Sequence, residues 1–392
     1  MKRIDFSQAL PVDAADAVLV GRIWLPAASG PAIVALRGDE LFDVTRDFAT
    51  VRDLCEQADP AAALRAAKGT RVAGVTEVLA NSDEAFRDPK KPWLLAPIDL
   101  QSVKAAGVTF VISMLERVIE ERTRGAPELA AAARKEVLDL IGGDIAKLKP
   151  GSDEAAKLKE WLIKKNAWSQ YLEVGIGPDA EIFTKSQPMS SVGTGAFAGL
   201  HPMSRWNNPE PEIVLVVSSA GRIVGAALGN DVNLRDVEGR SALLLGKAKD
   251  NNASCAIGAF VRLFDAKFDL DEVRRTDVSL VVAGEDNFRL EGMSSLKMIS
   301  RDPADIAGQA IGAHHQYPDG FVLFLGTMFA PVQDRGGAGQ GFTHKVGDIV
   351  TISAPKLGAL TNRMTTSDKA PPWTFGVSHL YRNLAARGLL NQ

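Results

Sequence analysis

Two apolar runs separated by a short polar turn constrain this chain most. Glu212-Ile-Val-Leu-Val-Val217 is followed by Ser218-Ser-Ala-Gly221 and then by Arg222-Ile-Val-Gly-Ala-Ala-Leu228. Unbroken β-branched runs on either side of a glycine turn read as a buried antiparallel hairpin. The first run opens on Glu210-Pro-Glu212, and the second leads on to Asp231. Side chains two apart on a strand share a face, so Glu210 and Glu212 point the same way. With the hairpin folding near Ser219-Ala220, Glu210 falls opposite Gly229 and Asp231 lies just beyond it. Three carboxylates then converge. They repel one another, so positive charge is expected among them. All-oxygen ligation selects a hard cation, Mg²⁺ first and then Mn²⁺ or Ca²⁺. Three carboxylates around one Mg²⁺ keep a negative charge, so an anionic substrate requires lysines nearby. On spacing alone, Glu-x-Glu also fits a solvent-facing strand edge.

Composition narrows the alternatives. The 392 residues suggest about two domains. Lys plus Arg total 45 and Asp plus Glu total 48, a net charge of −3, which lacks the basic excess of a nucleic-acid binder. Five His and two Cys exclude a multi-cysteine zinc site and a disulfide scaffold. Cys55 and Cys255 have no C-x-x-C partner and fit a cytoplasmic protein with reduced thiols. No apolar run is long enough for a membrane span, and the N-terminal stretch, broken by acids, does not read as a signal peptide.

Along the chain, residues 1–92 read as a small β-rich N-terminal domain. It holds strands at Pro31–Arg37 and Glu40–Val44 around a Gly38-Asp39 turn and helices near 48–58 and 60–68. Asp88-Pro-Lys-Lys-Pro92 marks a linker. Residues 93–392 form the second domain. Val103–Ser113 is apolar and β-prone, and 114–141 and 152–166 are helical, with Ser152 as N-cap of the second helix. Further strands are expected at Asp277–Ala283, Gly320–Gly326 and Asp348–Ala354, with helices near 254–265, 302–312 and 376–388. Gly336-Gly-Ala-Gly-Gln-Gly341 reads as a loop beside the site. Long strands with few crossover helices indicate an α+β, β-rich class, not a doubly wound sheet.

The motifs together resemble the fumarylacetoacetate hydrolase family. Glu210-Pro-Glu212 with Asn230-Asp231-Val-Asn-Leu-Arg235-Asp236 resembles its E-x-E and N-D-V-x-x-R-D metal motifs. Phe183-Thr-Lys185, Lys249-Asp-Asn-Asn-Ala-Ser-Cys255, Gly326-Thr327 and Val346-Gly-Asp348 follow in the family's order. The resemblance implies a rolled mixed β-sheet, Mg²⁺ held by Glu210, Glu212 and Asp231, and a 2-oxo acid bound at the metal. It also implies that Lys185 and Lys249 are the expected cations and that Thr327 is a hydrogen-bond donor to substrate.

Two departures refine it. Hydrolases of the family carry G-x-N-Y-x-x-H-x-x-E, in which a His–Glu pair activates water. Here the stretch runs from Gly107 to Glu116 with Ser113 in place of the histidine, and serine is no base near pH 7. Phe183 lies 67 residues after Glu116, which marks a helical insertion of about 114–170. With Trp206-Asn-Asn-Pro209 and His315-Gln-Tyr-Pro-Asp-Gly320, both departures resemble the family's 2-keto-3-deoxy-pentonate dehydratase branch. This implies a hydro-lyase of oxidative xylose or arabinose degradation that forms 2-oxoglutarate semialdehyde. Glu116 and Lys249 are then the acid/base candidates and Ser113 a substrate contact, in a homodimer or homotetramer. An acylpyruvate hydrolase, an oxaloacetate decarboxylase and a non-catalytic metal-bound scaffold are the other readings.

Overall fold

The computed structural model describes residues 1–141, 148–335, 337 and 341–390. The glycine-rich stretch beginning at Gly336 therefore lies mostly outside the described residues. The hairpin forms from Pro211–Val217 and Ile223–Asp231, antiparallel and almost wholly buried. Its register puts Glu212, not Glu210, opposite Gly229. The turn closes between Ser218 and Arg222, and the pairing is irregular at Val216/Val217, so the register differs by two residues from expectation. A shift of two preserves the faces, where a shift of one would have reversed them. Glu212 and Asp231 thus share a face as expected, and the Asp231 N–H donates to the Glu210 carbonyl at 3.0 Å.

The hairpin occupies the middle of a twelve-stranded mixed sheet. On one side Ile223–Asp231 pairs with Cys255–Ile257 and Val261–Leu263, and Val261–Leu263 pairs with the N-terminal strand Leu19–Leu25. Gly30–Arg37, Glu40–Asp43 and Thr70–Gly74 continue the sheet outward. The leading residues are therefore hydrogen-bonded into the same sheet as the hairpin. On the other side come Phe321–Phe324, then Ser102–Gly107 in parallel, then Glu181–Ser186. A five-stranded sheet of Arg289–Ser295, Asp277–Ala283, Ile349–Ala354, Gly358–Thr366 and Phe197–Leu200 lies against it. Both sheets are mixed and open, in the α+β class.

Strand alternation divides the core. Ile213, Leu215 and Val217 join Leu280, Val282 and Ile352 of the second sheet. Val214 and Val216 face the opposite way, onto Val20, Ile33, Leu54 and Leu64. Two expectations fail. Residues 254–265 are strands, not a helix, because a run buried on both faces carries no periodicity to separate the two. The apolar run from Val103 ends its strand at Gly107 and becomes helix at Val111–Thr123. Ser152 caps Asp153–Lys164 as expected, accepting from the Ala155 N–H. No helix among the described residues is long and apolar enough to cross a membrane.

Gly229 is required by close approach. A β-carbon there would stand 2.3 Å from Phe324 Cε1 and 2.5 Å from Val214 Cγ2. Gly229→Ala is expected to destabilise the protein by roughly 1–3 kcal/mol through overpacking. Denaturant titration checks this, and an unchanged midpoint would refute the register given above.

Candidate active site and metal centre

Glu210, Glu212 and Asp231 are buried and each offers an oxygen within 4.8 Å of the others. The solvent-edge reading of Glu-x-Glu is thereby excluded. An octahedral Mg²⁺ shell sets opposite oxygens ~4.2 Å apart, so the cluster is near that size. The Glu212 carboxylate is fixed by the Gly326 N–H at 2.7 Å and by the Thr327 hydroxyl at 3.3 Å. Lys249, at the end of the short helix Leu245–Lys249, reaches between two of the acids. Its Nζ lies 2.5 Å from Glu210 Oε2 and 3.0 Å from Asp231 Oδ2. Lys185 Nζ stands 2.9 Å from Asp231 Oδ1 but directs its hydrogen bonds elsewhere, with the Lys249 carbonyl at 2.6 Å. Asp231 Oδ1 is left without a hydrogen bond. Both lysines expected as cations thus lie on the triad.

Helix Val111–Thr123 presents Ser113, Glu116, Arg117 and Glu120 on one buried face, with spacings of three and four. Arg117 is the residue that sequence reasoning missed here. Its guanidinium bonds Glu210 Oε1 with one nitrogen and Glu120 Oε2, at 2.7 Å, with the other. Ser113 donates to the Thr327 carbonyl at 2.6 Å and so ties this helix to the strand-end loop that holds Glu212. Glu116 is differently placed from expectation. Arg134 of the helical insertion grips both its oxygens, at 2.9 and 2.8 Å, and Arg235 adds a third bond at 2.8 Å. Arg235 also bonds Glu120 at 2.6 Å.

Ala106, Gly107, Ser113, Arg117, Phe183, Thr327 and Lys249 line a narrow cavity above Glu210 and Asp231, with room for about one water. Two further carboxylates line it, Glu181 and Glu238, and neither accepts a hydrogen bond from a described residue. Glu181 fits because Gly107 is its cross-strand neighbour. A β-carbon at Gly107 would lie on Glu181 Oε2. Period two puts Glu181, Phe183 and Lys185 on one strand face, which is the sequence signal that could have found it. Glu116 is not among the lining residues.

Electrostatics separates these acids. Burial works against ionisation of Glu210, but Lys249 and Arg117 outweigh it and bring its pKa down to about 2. Burial, then the charges of Asp231 and Glu210, push Glu212 well up. Burial opposes the charge of Lys249, yet Asp231 and Glu210 prevail and hold its proton more tightly than usual. Glu116 is likewise opposed by burial but held below its ordinary value by Arg134 and Arg235, so it is not a raised acid. Glu181 is raised, by burial first, with Arg117 and Lys249 opposing. Burial raises Glu238 to about 7 against the pull of Arg117.

No protein-family model matches the chain. A probable 2-keto-3-deoxyxylonate dehydratase from Haloferax volcanii is 25% identical over 334 residues, covering 85% of this chain and 95% of that one. A 2-dehydro-3-deoxy-D-arabinonate dehydratase from Saccharolobus solfataricus is 30% identical over 180 residues, 46% of this chain and 57% of that one. Among solved structures, 2-keto-3-deoxy-D-arabinonate dehydratase complexed with magnesium and 2,5-dioxopentanoate superposes with a TM-score of 0.60 at 20% identity. That match covers 89% of this chain and 99% of that one. A fumarylacetoacetate hydrolase from Exiguobacterium antarcticum gives a TM-score of 0.51 at 16% identity, covering 89% of this chain and all of that one. The chain is thus a relative of the 2-keto-3-deoxy-pentonate dehydratases, with the fold that they share with fumarylacetoacetate hydrolase.

Proposed function

We propose that the protein is a Mg²⁺-dependent dehydratase converting a 2-keto-3-deoxy-pentonate to 2-oxoglutarate semialdehyde (2,5-dioxopentanoate). The observation that carries this reading is the buried triad with Lys185 and Lys249 against it, in a relative of dehydratases for that substrate class. The residues fit a divalent cation. Among the described residues, Glu116, Glu120, Glu181, Glu210, Glu212, Asp231 and Glu238 face the cations Lys185, Lys249, Arg117, Arg134 and Arg235. Seven acids against five bases leave two negative charges when all are ionised. Glu210, Glu212 and Asp231 would hold the ion, and their oxygens also admit Mn²⁺ or Ca²⁺. When bound, such an ion supplies the charge that polarises a 2-ketone and makes its C3 protons acidic.

The remaining work falls to the chain. Lys249, held protonated, donates to a substrate oxygen that gains charge. Glu181, with a raised pKa and free acceptor oxygens in the cavity, takes a C3 proton. It returns that proton to the departing C4 hydroxyl, which leaves as water. The unsaturated 2-oxo acid then tautomerises to the C5 aldehyde. Ser113 fixes the Thr327 loop, and the Thr327 hydroxyl, which lines the cavity, turns its one proton from Glu212 to a substrate oxygen. Glu116 positions Arg235 and the helix, in place of the proton-transfer role that the family resemblance implied. We further propose a cytoplasmic homodimer or homotetramer. The two buried free cysteines are consistent with a reducing compartment, and light scattering would give the assembly size.

The reading is tested by supplying Mg²⁺ with a 2-keto-3-deoxy-pentonate or with an acylpyruvate. Semialdehyde formation is followed through an aldehyde dehydrogenase, and diketone loss by absorbance. Dehydration without diketone cleavage is expected, and the reverse result would assign a hydrolase. For the proton transfer, the base form of Glu181 accumulates only above its raised pKa. The rate is therefore expected to climb with pH through a midpoint above the ordinary 4.5. Glu181→Gln should remove that limb and lower kcat ~10²–10⁴-fold while Mg²⁺ affinity is kept. A variant with wild-type kcat would reassign the base.

A further inference from the structure

We infer that Glu238 is the acceptor for the terminal hydroxyl of the substrate, and that it selects hydroxylated 2-oxo acids over acylpyruvates with apolar tails. The inference rests on the dehydratase reading and deepens it. Glu238 ends the short helix Arg235–Glu238, is 4% exposed and lines the cavity. Its Oε2 lies 3.0 Å from Arg117 Nη1 but off the N–H direction, and accepts no hydrogen bond. Arg117 directs its hydrogen bonds to Glu120 and Glu210 instead, so its contact with Glu238 is an ion pair without a hydrogen bond. A buried carboxylate with unused acceptor capacity is costly, whereas a ligand hydroxyl that meets it recovers the cost.

The position suits the tail of the substrate. Arg117 contacts both Glu210 and Glu238, so the acceptor lies one guanidinium away from the triad. A five-carbon acid anchored through C1 and C2 at the triad carries its C3–C5 tail across a comparable span. An acylpyruvate ending in a methyl group would leave the carboxylate buried and unmet. A site built for a hydroxyl discriminates strongly against the analogue that lacks it.

The experiment compares the 2-keto-3-deoxy-pentonate with 4-hydroxy-2-oxopentanoate, which keeps the C4 hydroxyl and lacks the terminal one. Loss of water from the second substrate is read as enone absorbance, and calorimetry gives the affinity of each. The wild-type protein with Mg²⁺ should favour the hydroxylated acid in kcat/KM by on the order of 100-fold. Glu238→Met should bring the ratio to within a few-fold of unity with Mg²⁺ affinity unchanged. Glu238→Gln, whose amide oxygen still accepts, should retain most of it. A Glu238→Met or Glu238→Gln protein with the preference intact in Met, or lost in Gln as fully as in Met, would overturn the inference. Dehydration of neither acid by the wild-type protein would overturn the reading beneath it.

Discussion

The ammonium of Lys249 between Glu210 and Asp231 is the interaction on which the site depends. It joins the end of a short helix to both strands of the central hairpin, at 2.5 and 3.0 Å, in a region closed to solvent. An isolated carboxylate in such a place would cost several kcal/mol, and a cluster of three would cost more. The hairpin can bring its acids together because Lys249, Lys185 and Arg117 stand among them. Lys249 also lines the cavity beside the acids, which is correspondingly narrow.

From this point an ion-pair network runs outward. Glu210 is bonded to Arg117, Arg117 to Glu120, Glu120 to Arg235, Arg235 to Glu116 and Glu116 to Arg134. The last of these lies on the insertion helix Ala130–Ile141. The insertion is therefore tied electrostatically to the triad and also packs on helix Val111–Thr123, through Val137, Leu162, Tyr171 and Leu172 with Val118 and Ile119. Two arginines pair with Glu116 and favour its ionised form, whereas the nearby Glu181 and Glu238 accept no hydrogen bond from a described residue, although Glu238 is ion-paired with Arg117.

Much of this was legible in the residues. Strand alternation alone placed Glu212 and Asp231 on one face, and the two-residue error in register did no harm because it was even. The demand for cations near the acids pointed to lysines, and Lys185 and Lys249 lie there. Other features were illegible for physical reasons. The apolar run at 254–265 is buried on both faces and so carries no period that separates helix from strand, and the run after Val103 crosses from a strand into a helix without a break in its apolar character. Glu116 matched a motif position, but its proton affinity is set by Arg134, eighteen residues away, and by Arg235 from a separate segment. Glu181 carried a readable signal, two and four residues before Phe183 and Lys185 on one strand, but its exposure to the cavity depends on the bare backbone of Gly107. Glu238 follows Arg235 by three residues on one helical turn and becomes meaningful only once the hydrogen bonds of Arg117 are seen to go to Glu120 and Glu210.

The central claim is that Glu210, Glu212 and Asp231 hold one divalent cation that completes the charge balance of this network. Titration of Mn²⁺ into the protein, read by the loss of its free-ion paramagnetic resonance signal and competed with Mg²⁺, tests it most directly. The account predicts one Mg²⁺-displaceable ion per chain in the wild-type protein and its loss in Asp231→Asn. No saturable binding, or a site that survives in Asp231→Asn with its affinity unchanged, would contradict it.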